Sequence, residues 1–194
     1  YYATIFYMQE RTELVEIEKK EILLKLNFFN KKDISILSNI YKSWVQLSNL
    51  IQKNGGRRIN IPELLSEAIF CYHFDAGRLV GSNSKINSSF DCLTLSPTKR
   101  IQVKSCSVTT DLTSFGPRSV WDELYLVHFF PNERYDGSYK IYKINNELIY
   151  NQKVNANQTF RDQQKQEKRP RFSIMKEIII RHNLKPVIDA TLPI

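Results

Sequence analysis

The sequence predicts a mixed α/β fold of the α+β kind, with helices first, a central mixed sheet flanked by helices, and a basic C-terminal segment. Three observations carry this reading. Apolar residues recur at steps of three and four over 33–53. Between residues 90 and 144, several short runs alternate instead at period two. A polar, basic stretch at 151–171 then separates these runs from one last apolar stripe. Helical periodicity followed by strand periodicity is the pattern of segregated helices and strands.

Taken in order, residues 9–26 (QERTELVEIEKKEILLKL) are expected to form a helix, with Leu14, Ile17, Ile22 and Leu26 among its apolar positions. Residues 33–53 predict a second helix, because Ile34, Leu37, Ile40, Tyr41, Trp44, Leu47 and Ile51 make one stripe. That stripe, Trp44 included, reads as core or dimer contact rather than a platform for bases. Asn54-Gly55-Gly56 ends the helix, since Gly accepts the left-handed conformation beyond a helix C-terminus. Residues 62–74 predict a third helix with Pro62 at its first position. Glu63 and Glu67 lie one turn apart on one side of it. Phe90–Leu95 and Ile101–Val108 alternate as strands around the turn Ser96-Pro97-Thr98-Lys99. Residues 124–130 and 138–144 are two further strands, joined across Asn132–Gly137 as a hairpin. Residues 173–183 predict a final short helix with Ser173 as its N-cap.

Composition narrows the partners. Lys plus Arg is 28 against 20 for Asp plus Glu, a formal net charge of +8. A surplus of this sign suits a polyanion, because Lys and Arg neutralise phosphates and release counterions. No apolar run reaches the length of a membrane span, so no membrane association is expected. Three cysteines, Cys71, Cys92 and Cys106, without a C-x-x-C pair, argue against a disulfide framework or a Cys-rich zinc site and for buried thiols in a reducing compartment. The chain begins at Tyr1 rather than Met, so preceding residues are expected in the natural protein. His73, His128 and His182 are isolated and read as surface or packed side chains.

The segment Asp91–Lys104 carries the chemistry. Gln102 and Lys104 are two apart on one strand, so they share a face, and the short turn brings Asp91 of the preceding strand near both. A carboxylate, an amide and an ammonium gathered at a sheet surface can hold a divalent cation and orient a water. Mg²⁺ takes oxygen ligands and keeps several waters, so Asp91 and a backbone carbonyl near Val103 are the expected donors. Lys104 would position the attacking water and stabilise negative charge developing on a phosphate. The same residues also suit a plain solvated hairpin. Against that reading, Lys104 lies between apolar and small residues in IQVKSCSV.

The order helix-Glu, then F-D on a strand, then I-Q-V-K-S on the next resembles the PD-(D/E)xK nuclease superfamily, and within it small type II restriction endonucleases. INIPELLSEAIFCYHF (59–74), SSFDCLTLSPTKRIQVKSCSV (88–108), TSFGPRSVWDELYLVHF (113–129) and KRPRFSIMKEII (168–179) carry the likeness, and residues 1–58 add little. The resemblance implies a restriction-endonuclease-like core with Asp91 as the metal-binding Asp and Lys104 as the motif Lys. Glu67, or alternatively Glu63, takes the place of the helix glutamate that serves as an outer metal ligand. Phe90 stands where the motif name has Pro. Gln102 stands at the acidic position, which removes one charge and leaves the metal stoichiometry open.

The resemblance further implies a Mg²⁺-dependent homodimeric enzyme of the bacterial cytoplasm that cuts a short palindrome in double-stranded DNA, similar to enzymes for interrupted GC-rich sites such as GCNGC. A cognate DNA methyltransferase is expected as a genetic partner, not as a bound subunit. The 194 residues are expected to be one nuclease domain, with an N-terminal helical segment (1–58), a catalytic core (59–150) and a basic DNA-contacting segment with the C-terminal helix (151–194). Residues 161–171 (RDQQKQEKRPR) hold five basic and two acidic residues. Arg161, Gln163, Gln164, Lys168, Arg169 and Arg171 are candidates for base or phosphate contact, since Arg and Gln pair bidentately with guanine and adenine. Arg118 follows them in rank, and the N–H groups at the Ser173 helix start could take a phosphate. Two rivals are a structure-specific nuclease, such as a junction resolvase or repair enzyme, and a non-catalytic DNA-binding regulator using residues 161–183.

Overall fold

The computed structural model describes residues 8–80 and 90–194. Ser88 and Ser89 of the segment quoted above lie outside the described residues. Helical and strand periodicities produced what they predict in the middle of the chain. Helix α1 spans Ile34–Lys53 and α2 spans Glu63–His73. Gly55, at φ +81°, follows the α1 C-cap. Pro62 stands one residue earlier than expected, as the N-cap of α2. Strands β4 (Cys92–Leu95) and β5 (Thr98–Cys106) form the expected antiparallel pair.

The residues 9–26 correct the sequence reading. They form not a helix but the greater part of a β-hairpin, β1 (Gln9–Ile17) and β2 (Lys20–Phe28), so the N-terminal segment is half strand and half helix. The two-residue turn Glu18-Lys19 has positive φ at both positions, 53° and 63°. That is the mirror-image turn that matches strand twist, and it usually advertises itself by Asn-Gly. Here neither residue is Gly or Asn, so the turn was silent. The apolar positions only mimicked helical spacing. Val15, Leu24 and Leu26 are buried, whereas the paired Leu14 and Leu23 are exposed. A left-handed conformation costs an ordinary L-residue about 1–2 kcal/mol and glycine almost nothing. Lys19→Gly is therefore expected to raise stability by roughly 0.5–1 kcal/mol in urea unfolding, after the extra flexibility of the unfolded glycine is subtracted.

Two strands of the main sheet escaped sequence reading because they are short: β3 (Ala76–Leu79) and, near the C-terminus, β10 (Ile188–Thr191). Gly77 in β3 has a structural reason. A Cβ there would lie 2.8 Å from Leu26 Cβ, so glycine permits the close approach of β2. Strands β7 (Glu123–Phe129) and β8 (Ser138–Ile144) pair antiparallel as expected. Small elements complete the chain: β6 (Thr113–Ser114), α3 (Asn146–Tyr150), α4 (Phe160–Lys165) and β9 (Arg171–Phe172). The expected final helix is a π-helix over Met175–Ile180. Ser173 caps it, its Oγ accepting the Lys176 N–H at 3.1 Å and donating to Thr109 O at 2.6 Å.

The main sheet runs β1-β2-β3-β4-β5-β7-β8-β10, antiparallel throughout except for the parallel β5–β7 pair at its centre. Both faces are covered. On β7, Tyr125 and Val127 join α1, α2 and β5 residues Ile101 and Val103 in one apolar cluster. The alternate residues Leu124 and Leu126 join Phe115, Phe160, Phe172 and Ile178 in another. A strand buried on both faces reads as a nearly continuous apolar run, which LYLVHFF is. Gln102 and Lys104 alternate with Ile101 and Val103 on β5, so their side chains share the face opposite α2.

Candidate active site

An open cleft of about 480 Å³ lies where α2, β4, β5 and the loop after β5 meet. Its lining includes Arg58, Glu63, Ser66, Glu67, Asp91, Val103, Lys104 and Asp111. Thus Glu67, Asp91, Val103 and Lys104, which the sequence reading grouped, share one cleft. Glu63 lines it with an exposed side chain, and Glu67, one turn further along α2, is buried.

Asp91 is locked by its neighbour strand. The Val103 N–H donates to Asp91 Oδ2 at 2.8 Å, and Gln102 Nε2 donates to the same oxygen. Gln102 is 3% exposed and does not line the cleft. An acid at 102 would set two carboxylates against each other in this position, whereas the amide donates. The departure at 102 thus has a local reason: it fixes the Asp91 carboxylate. Lys104 is half-buried, with Nζ 5.5 Å from the Phe115 ring centroid.

The electrostatics are those of crowded acids. Burial raises the Asp91 pKa above its ordinary value, and the Lys104 charge and the Val103 N–H only partly oppose this. Glu67 is pushed from 4.5 up to about 8, first by burial and then by the charge of Asp91. The counterweight is a residue the sequence reading missed. Arg78 on β3 donates from Nε to Glu67 Oε2 at 2.6 Å. Nothing local marks Arg78, because its strand is four residues long and the contact spans eleven residues.

The basic C-terminal candidates stand elsewhere, and none of them lines this cleft. Arg118 is paired with Glu167 at 2.7 Å, and Arg161 with Glu147 at 3.3 Å. Gln163 Nε2 donates to Gln158 at 3.4 Å, and Gln164 Nε2 lies 3.4 Å from Ser119 O. Lys168, Arg169 and Arg171 are exposed. Arg171 pairs with Ser114, which does line the cleft, so β9 runs beside it. Ser173 is buried, with its hydroxyl engaged in the helix cap. Cys71, Cys92 and Cys106 are all buried and free, as expected.

Among the described residues no three His, Cys, Asp or Glu side chains converge as a metal cluster. The donor set nonetheless suits a hard dication. Mg²⁺ is usually held by one or two carboxylates with waters completing its shell. Two carboxyl groups whose ionisation is opposed by burial and by each other share one cleft, and a dication placed between them would favour the ionised form of both.

No helix among the described residues is long and apolar enough to cross a membrane. No solved structure matches this chain. The family model described as Bsp6I restriction endonuclease matches residues 29–181. The chain is 32% identical over 179 residues to the type II restriction enzyme Bsp6I of Bacillus sp. (strain RFL6), covering 87% of this chain and 95% of that protein. A match of this extent, across the segment that builds the cleft, settles the family: the chain belongs to the Bsp6I restriction endonucleases and is a type II restriction endonuclease, a site-specific deoxyribonuclease whose partner is DNA.

Proposed function

We propose that this endonuclease is one nuclease domain that hydrolyses both strands of a short palindromic duplex site as a homodimer, with Mg²⁺ as its cofactor. The observation that carries the site assignment is the convergence of Glu67, Asp91 and Lys104 on one cleft. Asp91, Glu67 and the Val103 carbonyl would hold the cation. A cation held there would lower the pKa of a bound water and offset charge on the phosphate. Gln102 and the Val103 N–H fix the Asp91 carboxylate in one orientation. Lys104 orients the attacking water and stabilises the charge developing on the phosphate oxygens. Lys168, Arg169 and Arg171 read or grip DNA beside the cleft, and Arg118, Arg161, Gln163 and Gln164 join them once their present partners are exchanged. Two-fold DNA matches an isologous dimer. A cognate methyltransferase protects the host site.

Digestion of a sequenced plasmid tests this reading. Mg²⁺ is expected to give discrete fragments, EDTA none, and run-off mapping of the ends gives the site, with GCNGC-like sequences the first to compare. Cutting of branched DNA alone, or duplex binding without any nicking, would favour the two rivals and sink the proposal.

A further inference from the structure

We infer that Arg58 is a phosphate-binding residue of the cleft, gripping the DNA backbone at the cleavage site. The inference deepens the nuclease reading and rests on it. Arg58 stands in the segment that precedes α2, and the sequence by itself gives this side chain no role. The structure treats Arg58 differently.

Arg58 and Lys104 are the two cationic side chains among the described lining of the cleft, against the acids Glu63, Glu67, Asp91 and Asp111. A DNA phosphate entering such a cleft meets net repulsion unless cations are placed to receive it. Lys104 is one. Arg58 is the other, and it is built in rather than free to wander. Its guanidinium carbon lies 5.5 Å from the Phe130 ring centroid and 5.3 Å from that of Tyr135, and Nη2 donates to the Tyr135 hydroxyl. Stacking on rings orients the planar fork while leaving other donors available.

The cradle is itself anchored. Phe130 stacks on Trp44 at 5.2 Å with an interplanar angle of 7°, and Trp44 Nε1 donates to the Ile59 carbonyl at 3.1 Å, pinning the segment next to Arg58. Phe130 holds φ at +58°, a conformation a bulky residue adopts only when its surroundings impose it.

Among the described residues no carboxylate lies in ion-pair range of Arg58, and its Nε is buried without a hydrogen-bond partner. Arg118 and Arg161, by contrast, are already paired with Glu167 and Glu147. A preoriented, uncompensated guanidinium on the wall of a nuclease cleft is suited to a phosphodiester oxygen.

The test uses the full chain. In a Lys104→Ala background with Mg²⁺, binding of a 30-base-pair mixed-sequence duplex is measured by anisotropy at several salt concentrations. Adding Arg58→Met, which keeps an apolar stem over the rings, is expected to weaken binding about tenfold and to lower the salt slope by about one. Arg58→Lys, made with Lys104 intact, is expected to keep the wild-type salt slope but to cut plasmid about tenfold more slowly, because the fork is lost. An unchanged slope in Arg58→Met overturns the inference. If Arg58→Met fails to fold, unchanged cleavage by Arg58→Lys overturns it instead. Wild-type protein is digested in parallel. Failure of wild type to cut plasmid overturns the nuclease reading, whereas normal cutting with an unchanged Arg58→Met slope overturns only the role of Arg58.

Discussion

The Lys104→Ala enzyme is expected to bind duplex DNA with little or no cleavage: single-turnover cutting should fall about 10²–10³-fold, while binding weakens by less than about tenfold. Removing one group that stabilises developing charge typically costs two to three orders of magnitude, or about 3–4 kcal/mol of barrier. The structural cost is small by comparison. Lys104 is half-buried and its nearest described ring, Phe115, is part of a large aromatic cluster that remains. Asp91→Asn is expected to lose cleavage to a similar extent for a different reason. The Val103 N–H and the Gln102 amide both donate to Oδ2, so a neutral amide at 91 keeps the shape but loses the charge that would hold the proposed cation. The two variants should separate in a Mg²⁺ titration: excess cation rescues Asp91→Asn in part and Lys104→Ala not at all. Wild-type cleavage rates in both variants would remove the site from this cleft.

The second large effect is on stability against pH, measured in EDTA without DNA. Glu67 has a folded pKa of about 8 against 4.5 in the ordinary state. Between those values the folded chain binds the proton more tightly than the unfolded chain. Stability is therefore highest below pH 4.5 as far as this group is concerned, and declines as pH rises toward 8. At ~1.4 kcal/mol per pKa unit, the loss is roughly 5 kcal/mol across the window. The raised Asp91 acts in the same sense. His73 and His128, lowered by burial, act in the opposite sense below pH 6.5. Comparison with Glu67→Gln cancels the histidines: its urea midpoint should vary less with pH than the wild type's between 4.5 and 8. Adding Mg²⁺ at pH 8 should restore wild-type stability and leave Glu67→Gln less affected, because a cation bound to the folded state stabilises by mass action. Equal pH profiles for the two proteins would show that Glu67 is not the crowded acid of the cleft.

Local pattern was enough for α1, α2 and the pairs β4–β5 and β7–β8, because burial on one or both faces writes a period into neighbouring residues. It was also enough to bring Asp91, immediately before β4, beside Lys104 on β5, since a short turn leaves two strands little choice of partner. The hairpin β1–β2 was not legible, because its turn residues, Glu18 and Lys19, carry no turn signature, and its exposed leucines confuse the count. Short strands such as β3 and β10 exist only by pairing with distant partners. The same holds for the parts of the cleft that sequence could not name. Arg78 reaches Glu67, the Gln102 amide clamps Asp91, and Phe130 and Tyr135 cradle Arg58 across more than seventy residues. Periodicity reports which side of an element is buried. Which charge meets which acid is set by packing between elements, and that is decided only when the chain is folded.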